Sequence, residues 1–315
     1  MNKFGLQQKP FLFVIDFKMQ ENLVIPLDDI NPDEIKYEVN GRRNFTDCIE
    51  GNPQKAILKK NPVSFEMYKK AFDKVIYHLH RGDSYLLNLT FPTPIETNMS
   101  LKEIFLRSKA KYKLYLKDHF TVFSPEIFVQ IKEGRMASFP MKGTIDAAIP
   151  NAEKIILQDE KETAEHNTIV DLIRNDLSMV AKKVRVDRFR YIDKIQTNEK
   201  TLLQVSSEIS GILADDYSAK IGDIIFRLLP AGSVTGAPKK KTVEVILETE
   251  TYNRGYYTGV FGIFDKGILD CGVMIRFIEN INKKLVYKSG GGITTSSNAE
   301  SEYTEMTDKV YVPFN

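Results

Sequence analysis

Apolar and polar positions along the chain follow two different periods. Apolar residues that recur every three or four positions predict amphipathic helices over Phe65 to His80, Lys161 to Lys182, Lys240 to Glu250 and Glu300 to Val310. Short apolar runs flanked by turn residues lie between these helices and are typical of strands. Strands and helices do not alternate in the regular way that predicts a parallel sheet, so the pattern indicates an α+β fold.

Turn residues between apolar runs predict antiparallel strand pairs. The segment IFVQIKEGRMASF, residues 127–139, has a glycine-containing turn between two apolar runs, and residues 260–289 offer three strands separated by Asp-Lys-Gly and Asn-rich turns. Residues 30–62 are rich in Asn, Pro and charge. We therefore predict one large domain over residues 63–315, preceded by a short lead-in, residues 1–62, that packs on it.

The composition is that of an ordinary globular protein and excludes several classes of function. The 315 residues are 42% hydrophobic and 27% charged, and 44 basic against 42 acidic residues leave a net charge of +2, so no nucleic-acid partner is predicted. The N-terminal apolar run Phe11 to Ile15 is too short for a signal peptide, and no segment could span a bilayer. Cys48 and Cys271 are isolated, which predicts no disulfide. We expect a cytoplasmic protein without a membrane partner.

Two of the predicted helices carry glutamates three positions apart. Glu162 and Glu165 lie in one helix, whose N-cap is predicted at Asp159, and Glu302 and Glu305 lie in another. This spacing puts each pair on one helix face, where the two carboxylates could bind Mg²⁺ together with an anionic substrate. The alternative is that the helix dipole alone favours glutamate near a helix N-terminus. We expect these helix-face side chains to be exposed.

Three other segments are suited to binding an anion. Arg276 is predicted to lie within a strand among apolar neighbours, where its guanidinium needs a carboxylate partner. Gly290, Gly291 and Gly292 follow a strand and would let the backbone approach a ligand, although a flexible turn is the alternative. The segment PAGSVTGAPKKK, residues 230–241, lacks the spacing of a Walker A loop but offers the Ser233 hydroxyl before a helix start.

Lys142 stands in the segment SFPMKGT, residues 138–144, where we expect a strand to end. The usual interpretation of a lysine there is a solvated loop residue. The other is an amine held in a pocket so that it can lose its proton and react.

Taken together, these segments resemble the chorismate-utilising enzymes, which comprise the large subunits of anthranilate and aminodeoxychorismate synthases and the isochorismate and salicylate synthases. The resemblance covers most of the chain from Arg81 to Lys309, and its motifs occur in the family's order. These motifs are RGDSYLLNLT, FSPEIF, FPMKGT, DEKETAEHNTIVDLIRNDL, PAGSVTGAPK, RGYYTGVFG, IRF, GGGI and AESEYTE. The family fold implied is a large α+β domain with antiparallel sheets at its centre and helices outside.

The resemblance also implies roles for individual residues. It makes Glu162, Glu165, Glu302 and Glu305 the Mg²⁺ ligands and Glu126 the general acid at the departing 4-hydroxyl of chorismate. The residues that it assigns to the substrate and its carboxylates are Thr144, Ser233, Tyr257, Arg276, Gly290, Gly291, Gly292 and Lys309.

Within the family that the chain resembles, the residue at position 142 distinguishes between the possible reactions. Anthranilate synthases typically have alanine there, whereas many aminodeoxychorismate synthases have lysine, which makes Lys142 a nucleophile toward C2 of chorismate. Leu86 stands where isochorismate and salicylate synthases have a lysine base and aminating members usually have Gln, and Gln204 stands where anthranilate synthases have a histidine. We therefore expect aminodeoxychorismate synthase component I. The alternatives are anthranilate synthase component I and a non-catalytic protein that binds chorismate or a partner.

The ammonia source is the last expectation from the sequence. Neither cysteine lies in the glycine-flanked turn that would expose a nucleophilic thiol, and Cys271 falls in a predicted strand. The resemblance implies a separate glutamine amidotransferase subunit that supplies ammonia, so we expect such a partner.

Overall fold

The computed structural model describes residues 1–47, 55–196 and 201–314. Cys48 lies outside these residues. The helices are α1 (Asn2–Leu6), α2 (Phe65–His80), α3 (Leu101–Arg107), α4 (Ala152–Gln158), α5 (Glu160–Ser178), α6 (Ile221–Leu228), α7 (Lys239–Thr249) and α8 (Ala299–Asp308). The strands are β1 (Phe11–Ile15), β2 (Leu23–Pro26), β3 (Ile35–Val39), β4 (Arg42–Arg43), β5 (Leu58–Lys60), β6 (Leu86–Thr97), β7 (Tyr112–Leu116), β8 (Phe120–Ser124), β9 (Ile127–Lys132), β10 (Arg135–Ser138), β11 (Met141–Asp146), β12 (Lys182–Gln196), β13 (Thr201–Ile212), β14 (Gly236–Ala237), β15 (Val260–Asp265), β16 (Ile268–Val273), β17 (Phe277–Ile281) and β18 (Lys284–Ile293).

The chain divides into two compact units, each assembled from three separate segments. Unit 1 consists of Met1–Phe11, Ile127–Ser233 and Ile263–Cys271, and unit 2 consists of Leu12–Glu126, Val234–Gly262 and Gly272–Asn315. The chain passes from one unit to the other inside β1, β15 and β16. The predicted boundary between residues 62 and 63 stays a prediction.

Unit 1 is built on antiparallel pairing along β13. Strands β10 and β11 pair with β13 along one edge, and β12 pairs with its other edge. Helices α4 and α5 pack against these strands. Helix α5 buries Ile169, Ile173 and Leu177, which recur every fourth position and form its apolar face.

Unit 2 contains a second antiparallel sheet in the order β14-β6-β18-β17-β8-β7-β3-β4, with β5 also on β6. Helix α8 packs against β18, and α2 packs against α7, α8 and β6. The cluster beneath them includes Tyr68, Phe72 and Val75 of α2, Leu89 of β6 and Met306 of α8. This packing fixes α8 over the glycine-rich part of β18.

The predicted α+β class with antiparallel sheets is confirmed, as are four helices and the hairpin of β9 and β10. Helix α5 ends four residues earlier than expected, because the chain turns at Met179 and enters β12 at Lys182. In the described part of the chain, no helix is long and apolar enough to cross a membrane.

One strand prediction is wrong and a second is incomplete. Residues 260–289 contain four strands rather than three, because the backbone of Arg276 adopts a φ of 54° and separates β16 from β17. A strand does end in the segment around Lys142, at Ser138, but Lys142 is not a loop residue, since the chain continues through Pro140 into β11.

Candidate active site

Lys142 lies at an irregularity in β11. It is opposite Val205 of β13, and the register shifts between Lys142 and Thr144. Gly143, between them, has a φ of 69°, a conformation that favours glycine over residues with a side chain. The Nζ atom of Lys142 lies 3.2 Å from Oε2 of Glu165. The bulge therefore presents the lysine to the glutamate pair of α5.

The first glutamate pair is positioned by the start of α5. Asp159 is the N-cap, and its Oδ1 accepts the backbone N–H of Glu162 at 2.8 Å, as the sequence predicts. A Cβ atom at Gly143 would come 3.2 Å from Oε2 of Glu162. A side chain there would crowd this carboxylate, so glycine leaves it room on the strand side.

His166 follows Glu165 in α5 and was not identified from the sequence. Only 1% of the residue is exposed, and its Nε2 lies 2.7 Å from Oγ of Ser207. Burial lowers the pKa of His166 to about 4, assisted by the positive charges of Arg190 and Lys142. The imidazole is therefore neutral at pH 7. Its position next to Glu165 in the helix is the sequence signal that could have identified it as a candidate site residue.

The second glutamate pair lies on α8 against a glycine of β18. A Cβ atom at Gly291 would come 3.4 Å from Oε2 of Glu302, 3.8 Å from Oε1 of Glu305 and 3.9 Å from Nζ of Lys309. Lys309 Nζ is also 2.6 Å from Glu305 Oε1 and donates to the carbonyl of Gly290 at 3.0 Å. The predicted exposure of Glu302 is wrong, because only 4% of it is exposed: α8 lays this face on β18.

Each unit thus contains the same small arrangement. A strand glycine leaves room for the first glutamate of a pair, and a lysine contacts the second glutamate. In unit 1 these residues are Gly143, Glu162, Glu165 and Lys142, and in unit 2 they are Gly291, Glu302, Glu305 and Lys309. The two arrangements come from unrelated local structures, a bulged strand and the glycine-rich end of a regular strand.

Arg276 lies at the break between β16 and β17 and not within a strand. Its carbonyl accepts the backbone N–H of Phe123 at 3.1 Å, and its guanidinium lies 5.0 Å from the ring centre of Tyr311. Burial acts to lower the pKa of Arg276, but Tyr287, Tyr311 and Tyr257 outweigh it and raise the pKa overall. Among the described residues, no Asp or Glu forms an ion pair with this guanidinium.

Tyr257 and Glu126 belong to the same unit as Arg276. Tyr257 is 3% exposed, and burial raises the pKa of its phenol, with further contributions from Glu250 and Glu126. The backbone N–H of Glu126 donates to Oγ of Ser124 at 3.1 Å, just beyond β8. Tyr257 therefore stays protonated at neutral pH and keeps a hydrogen to donate.

The glycines of β18 allow two backbones to approach closely. Gly290, Gly291 and Gly292 pair with residues of β6, and a Cβ atom at Gly290 would come 2.4 Å from the carbonyl oxygen of Leu89. β17 pairs with β18 only up to Lys288. The glycine segment is therefore regular strand and not the flexible turn considered as the alternative.

The remaining predicted residues lie in unit 1. Thr144 Oγ1 accepts a hydrogen bond of 3.3 Å from Nε2 of Gln204 on β13. Ser233 lies in the short 3₁₀ turn Gly232–Val234, at the end of the unit's middle segment.

Both glutamate pairs offer the donor atoms that suit Mg²⁺. Carboxylate oxygens are its preferred protein ligands. In the described ranges, no three His, Cys, Asp or Glu side chains gather in a group that could hold a metal. The four-glutamate Mg²⁺ site stays a prediction to which the donor chemistry is suited.

Comparisons with known proteins identify the family of the chain. A family model described as chorismate binding enzyme matches residues 27–314. An uncharacterised PabA-like protein of Pasteurella multocida (strain Pm70) is 50% identical over 312 residues, which are 99% of this chain and 96% of that protein. Aminodeoxychorismate synthase component 1 of Bacillus subtilis (strain 168) is 31% identical over 280 residues, 83% of this chain and 58% of the relative.

A solved structure gives the same result for the fold. Anthranilate synthase component I from Streptococcus pneumoniae TIGR4 has a TM-score of 0.69 and 26% sequence identity, over 80% of this chain and 58% of that one. The family match extends over nine-tenths of the sequence and spans every candidate site residue. The resemblance found in the motifs is therefore confirmed, and the chain belongs to the chorismate binding enzyme family.

Proposed function

We propose that this chain is component I of an aminodeoxychorismate synthase, which converts chorismate and ammonia to 4-amino-4-deoxychorismate for para-aminobenzoate and folate synthesis. The observation that carries the proposal is Lys142, whose amine is held at a strand bulge 3.2 Å from Glu165. A loop lysine would extend into solvent, whereas the backbone of Lys142 is paired in β11 and its amine contacts a carboxylate. The resemblance adds that many aminodeoxychorismate synthases have lysine at this position, whereas anthranilate synthases typically have alanine.

In the proposed reaction, the amine of Lys142 adds to C2 of chorismate. The ring double bonds shift, the C4–O bond breaks, and Glu126 donates a proton to the hydroxyl, which leaves as water. Ammonia then adds to C4, the double bonds shift back, and the bond between C2 and Lys142 breaks. The enolpyruvyl group is retained, because Gln204 carries an amide, and an amide is a poor proton carrier near neutral pH.

The remaining residues bind and orient the substrate. We assign its carboxylates to Arg276, Tyr257, Lys309 and the backbone of Gly290, Gly291 and Gly292, with Thr144 and Ser233 as further polar contacts. Arg276 supports this assignment, because a half-buried guanidinium without an acidic partner is suited to a carboxylate ligand.

We assign Mg²⁺ to Glu162, Glu165, Glu302 and Glu305. The bound ion would supply positive charge that holds the ring carboxylate and stabilises negative charge developing on the substrate. Lysines now contact one glutamate of each pair, so the carboxylates already hold positive charge close to them.

We further propose that ammonia comes from a glutamine amidotransferase subunit in the cytoplasm. Cys271 supports this, because it is fully buried in β16 and its thiol donates to the carbonyl of Val129 at 3.0 Å. Burial raises the pKa of this thiol. Such a cysteine cannot serve as the nucleophile that hydrolyses glutamine.

The test is to incubate the purified chain with chorismate, Mg²⁺ and ammonium and to identify the product by mass spectrometry. We expect a product in which an amino group has replaced the 4-hydroxyl and the enolpyruvyl group remains. Lys142→Ala should abolish amination, and Lys154→Ala, which changes an exposed lysine of α4, should not. Amination by Lys142→Ala at the wild-type rate would exclude the covalent route.

Anthranilate synthesis is the second candidate, favoured by the structural similarity to an anthranilate synthase component I. It predicts a fluorescent aromatic aminobenzoate and release of pyruvate. Mass spectrometry of the same incubation distinguishes both products from 4-amino-4-deoxychorismate. If chorismate is not consumed, a non-catalytic binding protein is favoured.

A further inference from the structure

Arg276 carries a positive charge in a half-buried environment. Its backbone is held in the left-handed region at a φ of 54°, and Tyr257, Tyr287 and Tyr311 influence its charge electrostatically. No acidic side chain of the described residues pairs with it. Desolvating a guanidinium without a carboxylate is costly, so this environment is suited to a ligand that brings the negative charge.

Tyr311 is the exposed member of this group of tyrosines. Its ring centre lies 5.0 Å from the guanidinium carbon, and 45% of the residue is exposed. It lines an open groove of ≈ 670 Å³ together with Glu305 and Lys309. The tyrosine is therefore reachable from solvent on the side where the proposed ligand residues of α8 lie.

The backbone of Tyr311 is fixed although its side chain is accessible. Its N–H donates to the carbonyl of Lys309 at 3.1 Å, and its carbonyl accepts the hydroxyl hydrogen of the fully buried Tyr287 at 3.0 Å. The end of α8 thus places Lys309 against Gly290 and Tyr311 against Arg276 in one stretch of three residues. A fixed backbone limits the conformational entropy that the side chain loses on binding a ligand.

We propose that Tyr311 is a substrate-binding residue that shares one carboxylate of chorismate with Arg276. The phenol O–H donates to the same carboxylate that the guanidinium hydrogens hold. The aromatic ring covers the guanidinium and shields this contact from water. The inference rests on the proposed assignment of Arg276 to a substrate carboxylate.

The experiment measures chorismate binding by titration calorimetry with Mg²⁺ present and ammonium absent. A hydrogen bond to a charged group is worth about 1.5 to 3 kcal/mol, so Tyr311→Phe should raise the Kd by roughly tenfold or more. Tyr311→Ala, which also removes the ring, should raise it further. Thermal unfolding of each variant checks that it is folded, and the phenylalanine variant suffices if the alanine variant is not.

The chain offers a matched control in Tyr77. Its ring centre is 5.4 Å from the guanidinium carbon of Arg81, so the pair makes a similar contact between ring and guanidinium at the exposed end of α2. Tyr77→Phe should leave the Kd unchanged. In an Arg276→Met background, the additional effect of Tyr311→Phe should largely disappear, because both residues serve one carboxylate.

The outcomes separate this inference from the assignment on which it rests. If Arg276→Met binds chorismate as tightly as the wild type, the assignment of Arg276 to a carboxylate is wrong, and the inference about Tyr311 is then wrong as well. If Arg276→Met loses binding but Tyr311→Phe and Tyr311→Ala keep the wild-type Kd, only the inference about Tyr311 is wrong. Tighter binding by either Tyr311 variant would show that the phenol competes with the ligand, which also overturns it.

Discussion

Gly143 and Gly291 determine how closely a strand can approach the neighbouring carboxylates. At Gly143 a side chain would meet Glu162 at 3.2 Å and would also be strained by the φ of 69°. At Gly291 the nearest atom would be the Glu302 oxygen at 3.4 Å, which is an ordinary contact. A side chain is therefore disfavoured at Gly143 by the backbone conformation, whereas at Gly291 a Cβ atom would make only an ordinary contact.

The first prediction concerns Glu302, the buried member of the α8 pair. Glu302→Gln should weaken Mg²⁺ binding, because the amide removes one negative charge and one of the carboxylate oxygens that bind the ion. Without Mg²⁺ we expect the free energy of unfolding to change by less than about 1 kcal/mol, since the change relieves repulsion with Glu305. Saturating Mg²⁺ at about 100 times its Kd should stabilise the wild type by about 2.7 kcal/mol and the variant much less.

Thermal unfolding with and without Mg²⁺ measures this difference. Glu300→Gln is the control, because Glu300 is an exposed residue in the first turn of the same helix. An equal Mg²⁺-induced rise in Tm for wild type and Glu302→Gln would exclude Glu302 as a ligand.

Sequence reasoning at the residue scale found the charges but not their surroundings. The spacing of Glu162 and Glu165 identified a shared helix face, and the structure adds the contact of Glu165 with Lys142. The left-handed backbone of Arg276 was not predictable, because a local apolar pattern cannot reveal where a strand is interrupted by pairing with other strands. His166 was missed for a similar reason, since its burial depends on Ser207, which is 41 positions away in the sequence.

At the scale of elements, the N-cap residue Asp159 determines where α5 begins and thereby positions the first glutamate pair. Asp159→Ala should lower the free energy of unfolding by about 1 kcal/mol, because the backbone N–H of Glu162 loses its acceptor. Asp159→Ser keeps an acceptor oxygen and should remain close to the wild type. Urea unfolding of the three proteins measures the free energy of unfolding. If both variants lose the same amount, the acceptor oxygen at the N-cap is not what stabilises the helix.

A second prediction at this scale concerns the ion network that joins β10, β12 and β13. Burial raises the pKa of Asp187, but hydrogen bonds from Ser210, Arg185 and Arg135 outweigh it and lower the pKa to about 2. The unfolded side chain has a pKa of about 3.9, so the unfolded state binds more protons between these values. The free energy of unfolding therefore decreases as the pH falls from about 4 to 2, and Asp187 accounts for about 2 kcal/mol of this decrease.

Asp187→Asn should remove this part of the pH dependence. Unfolding free energies from urea titrations at pH 5 and pH 3 give the comparison, with Asp215→Asn, an exposed loop residue, as the control. The prediction fails if Asp187→Asn loses as much stability on acidification as the wild type does.

Elements were more predictable than residues, since their boundaries follow from short-range signals. α2 begins and ends where its apolar period does, from Phe65 to His80, with Ser64 as its cap. β11 was missed, because Pro140 and Gly143 indicate a turn when taken alone. Its pairing with β13 overrides that local signal.

At the scale of the whole molecule, we expect the isolated chain to use ammonium but not glutamine. Cys271 is fully buried, and Cys48 lies outside the described residues. Ammonium-dependent amination should rise with pH, because free ammonia is the reactive species and the minor one near neutral pH. Assays with each nitrogen source, with and without a glutaminase subunit from the same source, test this. Substantial glutamine-dependent amination by the chain alone would contradict it.

The α+β class was predictable for the whole molecule, but the division into two units was not. Each unit draws on three segments, and the longest gap within unit 2 runs from residue 127 to 233. No local composition change marks these crossings, because three of them fall inside ordinary apolar strands.

The interleaving of the two units restricts how such a protein can recombine with a relative. A single crossover after Glu126 would give a hybrid whose units both contain segments from two parents. A complete exchange of unit 1 needs crossovers at five places, after Phe11, Glu126, Ser233, Gly262 and Cys271, and three of these cut through a strand. Gene fusion and shuffling should therefore preserve this chain as one block, and chimeras meant to exchange one half of the glutamate set must be designed segment by segment.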